Sequence, residues 1–493
     1  MTALYRSPTL RQIETACADQ PLMQRAGAAA AAWGAELAGD GGLPILVLAG
    51  PGNNGGDALE AARLLRERFF DVRVVCVADP ARLPADAAAA RERFLQAGGA
   101  CLAAIPEEGR WGLIVDGIFG IGLARAPEGV YADWIAAANA LRRRDGCPLL
   151  ALDAPSGLDA DSGRAWAPAA AASHTLTFIA GKPGLRTGDG PDLCGELRVA
   201  PLALEAEAIA APDGELVERA LFAAHLLPRR RNSHKGSFGS AGVVGGAHSM
   251  VGAAFLAGRA ALKLGAGRVY LGLLDPQGPT VDPVQPELML RRPEAVVEAG
   301  LTALACGPGL GSSLQANELL DRAIHAEIPL VLDADALNLV ALDPALQAAV
   351  AARQAPTLLT PHPVEAARLL DCDAAEVQAD RIGAAAEIAW RLDSLVALKG
   401  CGTVVATAKS RWWINTTGNP GLASAGTGDV LTGIILSLLA QGWPAEAALL
   451  AAVHLHGAAA DRLAAQGTGP IGLTAGEVID AARSLFNGWI DGR

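Results

Sequence analysis

Three features of the sequence predict an α/β protein of two domains. The chain has 493 residues, about three times the roughly 150 of an ordinary domain. Both halves alternate short apolar runs with stretches of helical spacing, the pattern of parallel sheets covered on both faces. In each half, glycines, aspartates and asparagines gather directly behind the apolar runs, where open α/β sheets bind ligands.

In the first half, residues 44–49 (PILVLA) form a buried strand running into glycine-rich sequence, and 57–68 has apolar residues at helical spacing. Residues 72–77, 112–115 and 148–152 read as further strands, with a helix over 132–143. Residues 201–231 change character. They are Ala/Glu-rich, carry Pro201, Pro212 and Pro228, and end in Arg229, Arg230 and Arg231. They are read as the junction, giving domains over 1–218 and 219–493. The second half restarts with a strand over 242–246 and an Ala-rich helix over 251–264. Short strands follow over 301–305, 329–332, 357–359 and 395–398, and helices over 429–440 and 445–465 close the chain.

Composition excludes several classes. Hydrophobic residues make up 51% and charged residues 19%, enough for sizeable cores. Forty basic side chains against 52 acidic ones give a net charge of −12, a poor basis for neutralising nucleic-acid phosphates. Eight cysteines with no CxxC pair and no zinc spacing fit a reducing compartment. The N-terminal residues lack a signal-peptide core, and the apolar stretch 430–440 falls short of the roughly 20 residues that span a bilayer. A cytoplasmic protein with no nucleic-acid or membrane partner is expected, and a homo-oligomer. Of the five lysines, Lys182, Lys235 and Lys399 stand beside glycine. Either a bias towards arginine explains this, or a compact ammonium is wanted where backbone approaches a phosphate.

The first-half motif is Ala49-Gly50-Pro51-Gly52-Asn53-Asn54-Gly55-Gly56-Asp57, between a strand and a helix. Its glycines let backbone approach a bound group, and the helix N-terminus favours an anion. Both the Walker and the dinucleotide fingerprints are absent. Two more strand ends carry polar groups, VDGIFGIGL from Val115 and LDAPSGLDADSG from Leu152. Asn54, Asp116 and Ser156 together offer oxygens for a hard cation of low charge.

These three motifs, in this order, resemble the NAD(P)HX epimerase domain, over about 11–204. The resemblance implies a Rossmann-like three-layer domain that equilibrates the two epimers of hydrated NADH or NADPH. By position, Asn53, Asn54, Gly55, Gly56 and Asp57 would contact substrate, as would Gly120, Ile121, Gly122, Leu123, Ala124, Arg125, Ala126 and Asp153. Asn54, Asp116 and Ser156 would hold K+. Asp153, behind an apolar strand, is the expected proton-moving group. Ala58, Ile121 and Ala154 depart from the usual glycine, threonine and larger aliphatic residue.

In the second half, the strongest motif is NPGLASAGTGDVL, from Asn419 to Leu431. A Gly-Thr-Gly turn opening a long apolar helix makes an anion hole, and Asp429 at the helix start would accept a proton from a substrate hydroxyl during phosphoryl transfer. KGSFG, CGPGLG, DADALN, TPHPVE and KGCGT stand at other strand ends. Together they resemble ADP-dependent NAD(P)HX dehydratase, a branch of the ribokinase-like superfamily, over about 221–483, with Val364 where glycine is usual. The resemblance implies a ribokinase-like three-layer domain in which Ala253, Gly309, His362 and Asp429 contact the hydrate. Lys399, Gly400, Cys401, Gly402 and Thr403, with the loop that includes Asn419, Gly426, Thr427 and Gly428, would hold ADP.

The fused halves then read as a bifunctional NAD(P)HX repair enzyme acting on NADHX and NADPHX, an isomerase and a lyase in one chain. ADP would be the phosphoryl donor, with Mg2+ neutralising its charge. Two other readings stay open on the residues alone. One is an ATP-dependent kinase of a small alcohol or vitamin precursor with a fused nucleotide-binding regulatory domain; the other is a nucleotide-sensing scaffold. His454 and His456 are rejected as a metal pair, lying about 200° apart around a helix. Of Trp412 and Trp413, alternating along a strand, one is expected in the core.

Overall fold

The structure, a computed structural model, describes residues 2–40, 42–123 and 125–492. It divides into two compact units, Thr2–Gly214 and Glu215–Arg493.

In the first unit, β1 (Ala3–Leu4) bridges to Gly181. The main sheet contains β2 (Ile45–Ala49), β3 (Val72–Val75), β4 (Cys101–Leu102), β5 (Leu113–Gly117), β6 (Leu149–Leu152), β7 (His174–Phe178) and β8 (Glu196–Ala200). Their order is β4-β3-β2-β5-β6-β7-β8, and each neighbouring pair is parallel. Alternation along β2 explains the layers. Ile45, Val47 and Ala49 pack in one cluster with Ala30 of helix Leu22–Ala38 and Leu59 of helix Asn53–Glu67. Leu46 and Leu48 pack in another with Trp134 and Ile135 of helix Gly129–Asp145. Truncating a fully buried strand leucine such as Leu48 to alanine would cost about 2–5 kcal/mol. The chain leaves β2 towards β3 and β4, then returns to the other side of β2 as β5. The crevice at the carboxyl ends of β2 and β5 is therefore the topological switch point, where such sheets bind ligands.

The second unit takes in β9 (Gly214–Leu216), through Glu215 and Leu216, and then β10 (Ser240–Gly245), β11 (Arg268–Leu273), β12 (Met289–Arg291) and β13 (Ala303–Cys306). It continues with β14 (Leu330–Leu332), β15 (Thr357–Leu359), β16 (Leu395–Leu398), β17 (Thr403–Thr407) and β18 (Trp412–Asn415). The order is β9-β18-β17-β16-β15-β14-β13-β10-β11-β12, with β17 antiparallel to both its neighbours. Helix Thr427–Ala440 is buried along nearly its whole length and packs on helix Val251–Lys263. The approach is so close that a Cβ on Gly433 would lie 2.2 Å from the carbonyl oxygen of Ala257.

Several expectations change. Glu215 and Leu216 pair with Trp413 and Ile414 of β18, so we propose domain limits at 214/215 instead of 218/219. The helix expected from 57 begins at Asn53, so NNGGD forms its opening turns. Trp412 and Trp413 are both buried. His454 packs against the Phe222 and Trp489 rings at centroid distances of 5.8 and 5.7 Å, and His456 is buried separately. Among the described residues, no group of three or more His, Cys, Asp or Glu side chains could hold a metal ion.

Candidate functional sites at the two sheet edges

At the first switch point β2 and β5 run in register to their ends, pairing Leu48 with Asp116 and Ala49 with Gly117. Gly50 then passes so close to the next loop that a Cβ there would lie 1.9 Å from the Ile118 carbonyl oxygen. No other residue fits. Asp116 is fully buried. Its Oδ1 accepts from the Ser156 hydroxyl at 2.6 Å and the Ile118 amide at 3.2 Å, and its Oδ2 accepts from the Ser156 amide at 2.8 Å. Burial raises its pKa, against the pull of these hydrogen bonds. Asn54 sits in the first helical turn, its backbone oxygen 3.1 Å from where a Gly117 Cβ would be. Its side-chain amide is buried, and neither Oδ1 nor Nδ2 has a hydrogen-bond partner among the described residues. A buried amide oxygen left unpartnered is costly, and with one carboxylate and one hydroxyl it suits a large monovalent cation.

Asp153 follows β6 in a left-handed conformation, φ 65°. Its Oδ1 lies 2.8 Å from the Lys182 ammonium, and its Oδ2 accepts the Ile121 amide at 3.0 Å. Lys182 is itself buried and donates to Thr177 Oγ1 at 2.6 Å and to the Phe178 carbonyl at 3.1 Å. This lysine neutralises a carboxylate; it does not reach out towards a phosphate, as its glycine neighbour had suggested. A cavity of about 350 Å³ opens between these groups, walled by Arg11, Glu14, Asn54, Asp57, Asp153 and Lys182. Burial, followed by the charge of Asp153, raises the pKa of both Glu14 and Asp57.

Asn53, Gly120, Ile121, Gly122 and Leu123 also line this cavity. Arg125 and Ala126 line a second, of about 790 Å³, which shares Pro51, Phe119, Gly122 and Leu123 with the first. Gly55 and Gly56 face protein: a Cβ at either would meet Gly50 O at 2.1 Å or the Met23 side chain at 2.7 Å. Ala124 lies outside the described residues.

At the second sheet edge, Gly426 at φ 88° lets the chain enter helix Thr427–Ala440. The Thr427 hydroxyl donates to the carbonyls of Leu422 and Ser424 at 2.8 and 2.9 Å, folding the turn back on itself. Asp429 is in the first helical turn. Its pKa is pushed up to about 7, first by burial and then by Asp333, while Lys399 opposes the rise. Lys399 lies 2.7 Å from Asp333 Oδ1 and 3.9 Å from Glu365 Oε2. Burial works against its charge, but Asp333 and Glu365 outweigh burial and raise its pKa. The Thr432 hydroxyl holds the other Asp333 oxygen at 2.7 Å, and a Cβ on Gly428 would come within 3.3 Å of Lys399 Nζ. One ionic chain thus joins the Gly-Thr-Gly turn to β14, β15 and β16.

Of the remaining expected residues, His362 joins this chain through Glu365. His362 caps helix Pro363–Leu370, accepting from Val364 N at 3.1 Å, with its Nε2 3.3 Å from Glu365 Oε1. Burial and Lys399 lower its pKa. Gly309, at φ 60°, faces Ala253: a Cβ there would lie 3.3 Å from that of Ala253. The glycine loop after β16 is shaped from beneath. The buried Arg381 donates to the Leu398 and Lys399 carbonyls at 3.2 Å each, and a Cβ on Gly400 would strike its guanidinium at 2.8 Å. Cys401 is exposed, and Thr403 Oγ1 donates to the Gly400 carbonyl at 3.2 Å. Asn419 accepts Gly421 N at 3.0 Å and donates to Asp461 Oδ1 at 3.0 Å, so it builds its own loop.

The sequence assigned no role to Glu14, Asp333 or Thr432, and offered Lys182 a phosphate where the structure gives it Asp153. Asp333 had a signal, since it directly follows an apolar strand; Glu14 had none, because its helix Ser7–Ala16 went unassigned.

The comparisons with known proteins agree with this division. A family model described as "NAD(P)H-hydrate dehydratase" matches residues 241–482, and one described as "YjeF-related protein N-terminus" matches residues 19–184. The bifunctional NAD(P)H-hydrate repair enzyme Nnr of Coxiella burnetii is 37% identical, over 99% of this chain and 100% of its own. Its namesake from Escherichia coli is 37% identical over 90% of this chain and 85% of its own. Among solved structures, the ADP/ATP-dependent NAD(P)H-hydrate dehydratase of Bacillus subtilis, co-crystallised with ATP and Mg2+, is 33% identical with a TM-score of 0.51. It covers 56% of this chain and 99% of its own. On this evidence the chain belongs to the family of bifunctional NAD(P)H-hydrate repair enzymes.

Proposed function

We propose that this chain epimerises the R and S forms of NADHX and NADPHX in its first unit and dehydrates the S form in its second, converting ADP to AMP and phosphate. The observation that carries the dehydratase reading is Asp429, a half-buried carboxyl with a pKa of about 7 in the first turn of the helix behind the Gly-Thr-Gly turn. Such a group is half ionised at neutral pH and is suited to take a proton from a hydroxyl.

The chemistry follows from the leaving group. Hydroxide leaves carbon six poorly. Asp429 takes the hydroxyl proton as the oxygen attacks the terminal phosphorus of ADP; the bond from that phosphorus to the bridging oxygen breaks, and AMP departs. The nitrogen lone pair then expels phosphate, and loss of a proton from carbon five restores the dihydropyridine. The amides of Gly426 and Gly428 at the helix N-terminus would stabilise charge on the transferring group. Lys399, fixed by Asp333 and Glu365, stands beside Gly428 to do the same. Mg2+ would arrive with the nucleotide and supply charge neutralisation.

For the epimerase half, Asn54, Asp116 and Ser156 would hold K+, which the unpartnered amide of Asn54 supports, and Asp153 would move the hydroxyl proton. The proposed setting is a cytoplasmic homo-oligomer; among the described residues no helix is long and apolar enough to cross a membrane.

Chromatography of mixed hydrates tests both halves. With ADP, the dihydropyridine and AMP should appear together; a stable phosphorylated alcohol would instead mean a kinase. Without ADP, the two hydrate peaks should interconvert faster in K+ than in a large organic cation. Asp153→Asn should slow this interconversion at least about tenfold and spare dehydration of the S epimer. Interconversion indifferent to K+ would remove the cation from the site, and a wild-type rate in Asp153→Asn would remove Asp153 from the reaction.

A further inference from the structure

The first cavity contains more acid than one proton-moving carboxylate requires. Glu14, Asp57 and Asp153 all line it, against the single ammonium of Lys182 and the guanidinium of Arg11. The three carboxyls are not equivalent. Asp153 has both oxygens engaged by donors, Oδ1 by the Lys182 ammonium at 2.8 Å and Oδ2 by the Ile121 amide at 3.0 Å. An ammonium and an amide N–H thus fix the position of both oxygens. The surroundings of Asp57 are opposite in character. It is carried on the second turn of helix Asn53–Glu67. Burial raises its pKa well above the ordinary carboxyl range, and Asp153, Glu14, Glu60 and Asp86 each add to the rise.

The charged groups around it come from several elements. Glu14 and Arg11 belong to helix Ser7–Ala16 and Asp86 to helix Ala85–Gln96; Asp153 follows β6 and Lys182 follows β7. Glu60, on the same helix as Asp57, is itself salt-bridged to Arg63 and Arg93. The unpartnered amide of Asn54 opens on the same cavity, which marks this wall as one built to receive a ligand.

We propose that Asp57 and Asp153 work as a one-proton pair in epimerisation, Asp57 as the acid and Asp153 as the base. The proposal rests on the epimerase reading of this pocket. Epimerising a carbinolamine by ring opening needs two proton movements at once. Asp153 takes the proton of the carbon-six hydroxyl. The O–H electron pair becomes the second bond of an aldehyde, the bond from carbon six to the ring nitrogen breaks, and its electron pair goes to nitrogen. Asp57 delivers its proton to that nitrogen. Rotation about the bond between carbons five and six presents the other aldehyde face, and closure reverses each transfer. The pair ends in its starting protonation state, so no oxidant, reductant or further reactant is required. Lys182, 2.8 Å from Asp153 Oδ1, is the positioning residue that holds the base in place.

The test uses the full chain and the two hydrate epimers without ADP. Asp57→Asn should lower kcat for interconversion about 10²–10⁴-fold, with hydrate binding, measured at equilibrium, changed less than about threefold. The asparagine keeps the shape and cannot give up a proton. Asp57→Glu should restore much of the rate. The wild-type rate should fall on the alkaline side, and the residual rate of Asp57→Asn should lose that dependence. If the wild type interconverts the epimers and Asp57→Asn does so within about threefold of it, Asp57 is not the acid, although the epimerase reading survives. If Asp57→Asn loses hydrate binding and kcat together and Asp57→Glu rescues neither, the role is structural and the proposal fails. A wild type that does not interconvert the epimers at all overturns the underlying reading instead.

Discussion

The pH dependence of dehydration follows directly from the surroundings of Asp429. An ordinary carboxyl near 3.8 would be fully ionised across the physiological range, and a base of that kind would give a flat profile. Asp429 is pushed up to about 7, by burial and then by Asp333. Its ionised fraction therefore rises from about one-eleventh at pH 6 to about ten-elevenths at pH 8, and kcat/KM should rise about tenfold between them. Removing the Lys399 ammonium, which opposes the rise, should carry the midpoint upward by about one unit or more in Lys399→Met, since Asp333 and Glu365 would lose their counter-charge. Lys399 is also placed to meet the nucleotide, so the midpoint is the readout and not the amplitude. The same shift has a stability consequence. A carboxyl whose folded pKa lies above its unfolded one stabilises the fold at low pH and loses that contribution as pH rises from about 4 to about 7. Asp429→Asn should therefore be more stable than wild type at pH 8, by about 2–4 kcal/mol once partial exposure is allowed for, while losing about 10²–10⁴-fold in dehydration. The assay is ADP-dependent recovery of dihydropyridine absorbance from the S epimer, with thermal unfolding at pH 5 and 8. A profile flat from pH 6 to 8 would refute the assignment of Asp429 as base. So would an Asp429→Asn variant that turns over near normally.

Two further outcomes test the architecture. Fragments 2–214 and 215–493 should each fold and keep one activity, because each unit holds its own buried clusters; two unfolded fragments would contradict the division. Gly307→Ala should abolish dehydration, spare epimerisation and cost at least about 2 kcal/mol in denaturant unfolding, since at φ 133° its Cβ would fall 1.9 Å from the Asp333 carbonyl oxygen and displace the residue that holds Lys399.

How legible each part was depended on how local its causes are. Strands β15 and β16 and helix Ala445–Ala465 match the expected limits residue for residue, since apolar runs bounded by turn residues carry their own signal. The edge strand β8 has an exposed ELRVA pattern and offers no such run. Helix Leu22–Ala38 is so rich in alanine that its buried face blends into its exposed one. The glycine turns were readable because the steric demand is written in the glycine itself, as at Gly50 and Gly426. Charge pairing was not. Lys182 meets Asp153 only because β6 and β7 pair, Leu152 opposite Leu176. Asp333, Lys399 and Thr432 meet across separations of 66 and 99 residues. Residue type placed these groups at a sheet edge; the tertiary fold chose their partners, and a lysine beside a glycine proved to serve a carboxylate.

The two sites make opposite demands on protons, and this has a consequence for the coupled reaction. Dehydration needs Asp429 without its proton and so gains as pH rises through about 7. Epimerisation, with Asp57 as acid, needs a carboxyl that keeps its proton, and so declines as pH rises above a midpoint already well above the ordinary carboxyl range. In a mixture of both hydrates with excess ADP, the slower step should therefore change with pH. On the acid side dehydration limits, the epimers stay equilibrated, and the unreacted pool should keep its starting R to S ratio throughout. On the alkaline side S is drained faster than R is converted, so the remaining hydrate should grow richer in R as the reaction proceeds. The measurement is the ratio of the two peaks at half conversion between pH 6 and 9, corrected for uncatalysed interconversion. Asp57→Asn should show the R-rich remainder even at pH 6, because its epimerisation is slow at every pH, whereas Asp429→Asn should keep the ratio equilibrated even at pH 9. A wild-type remainder enriched in R at acid pH and equilibrated at alkaline pH would mean that the two carboxyls have been given each other's protonation states.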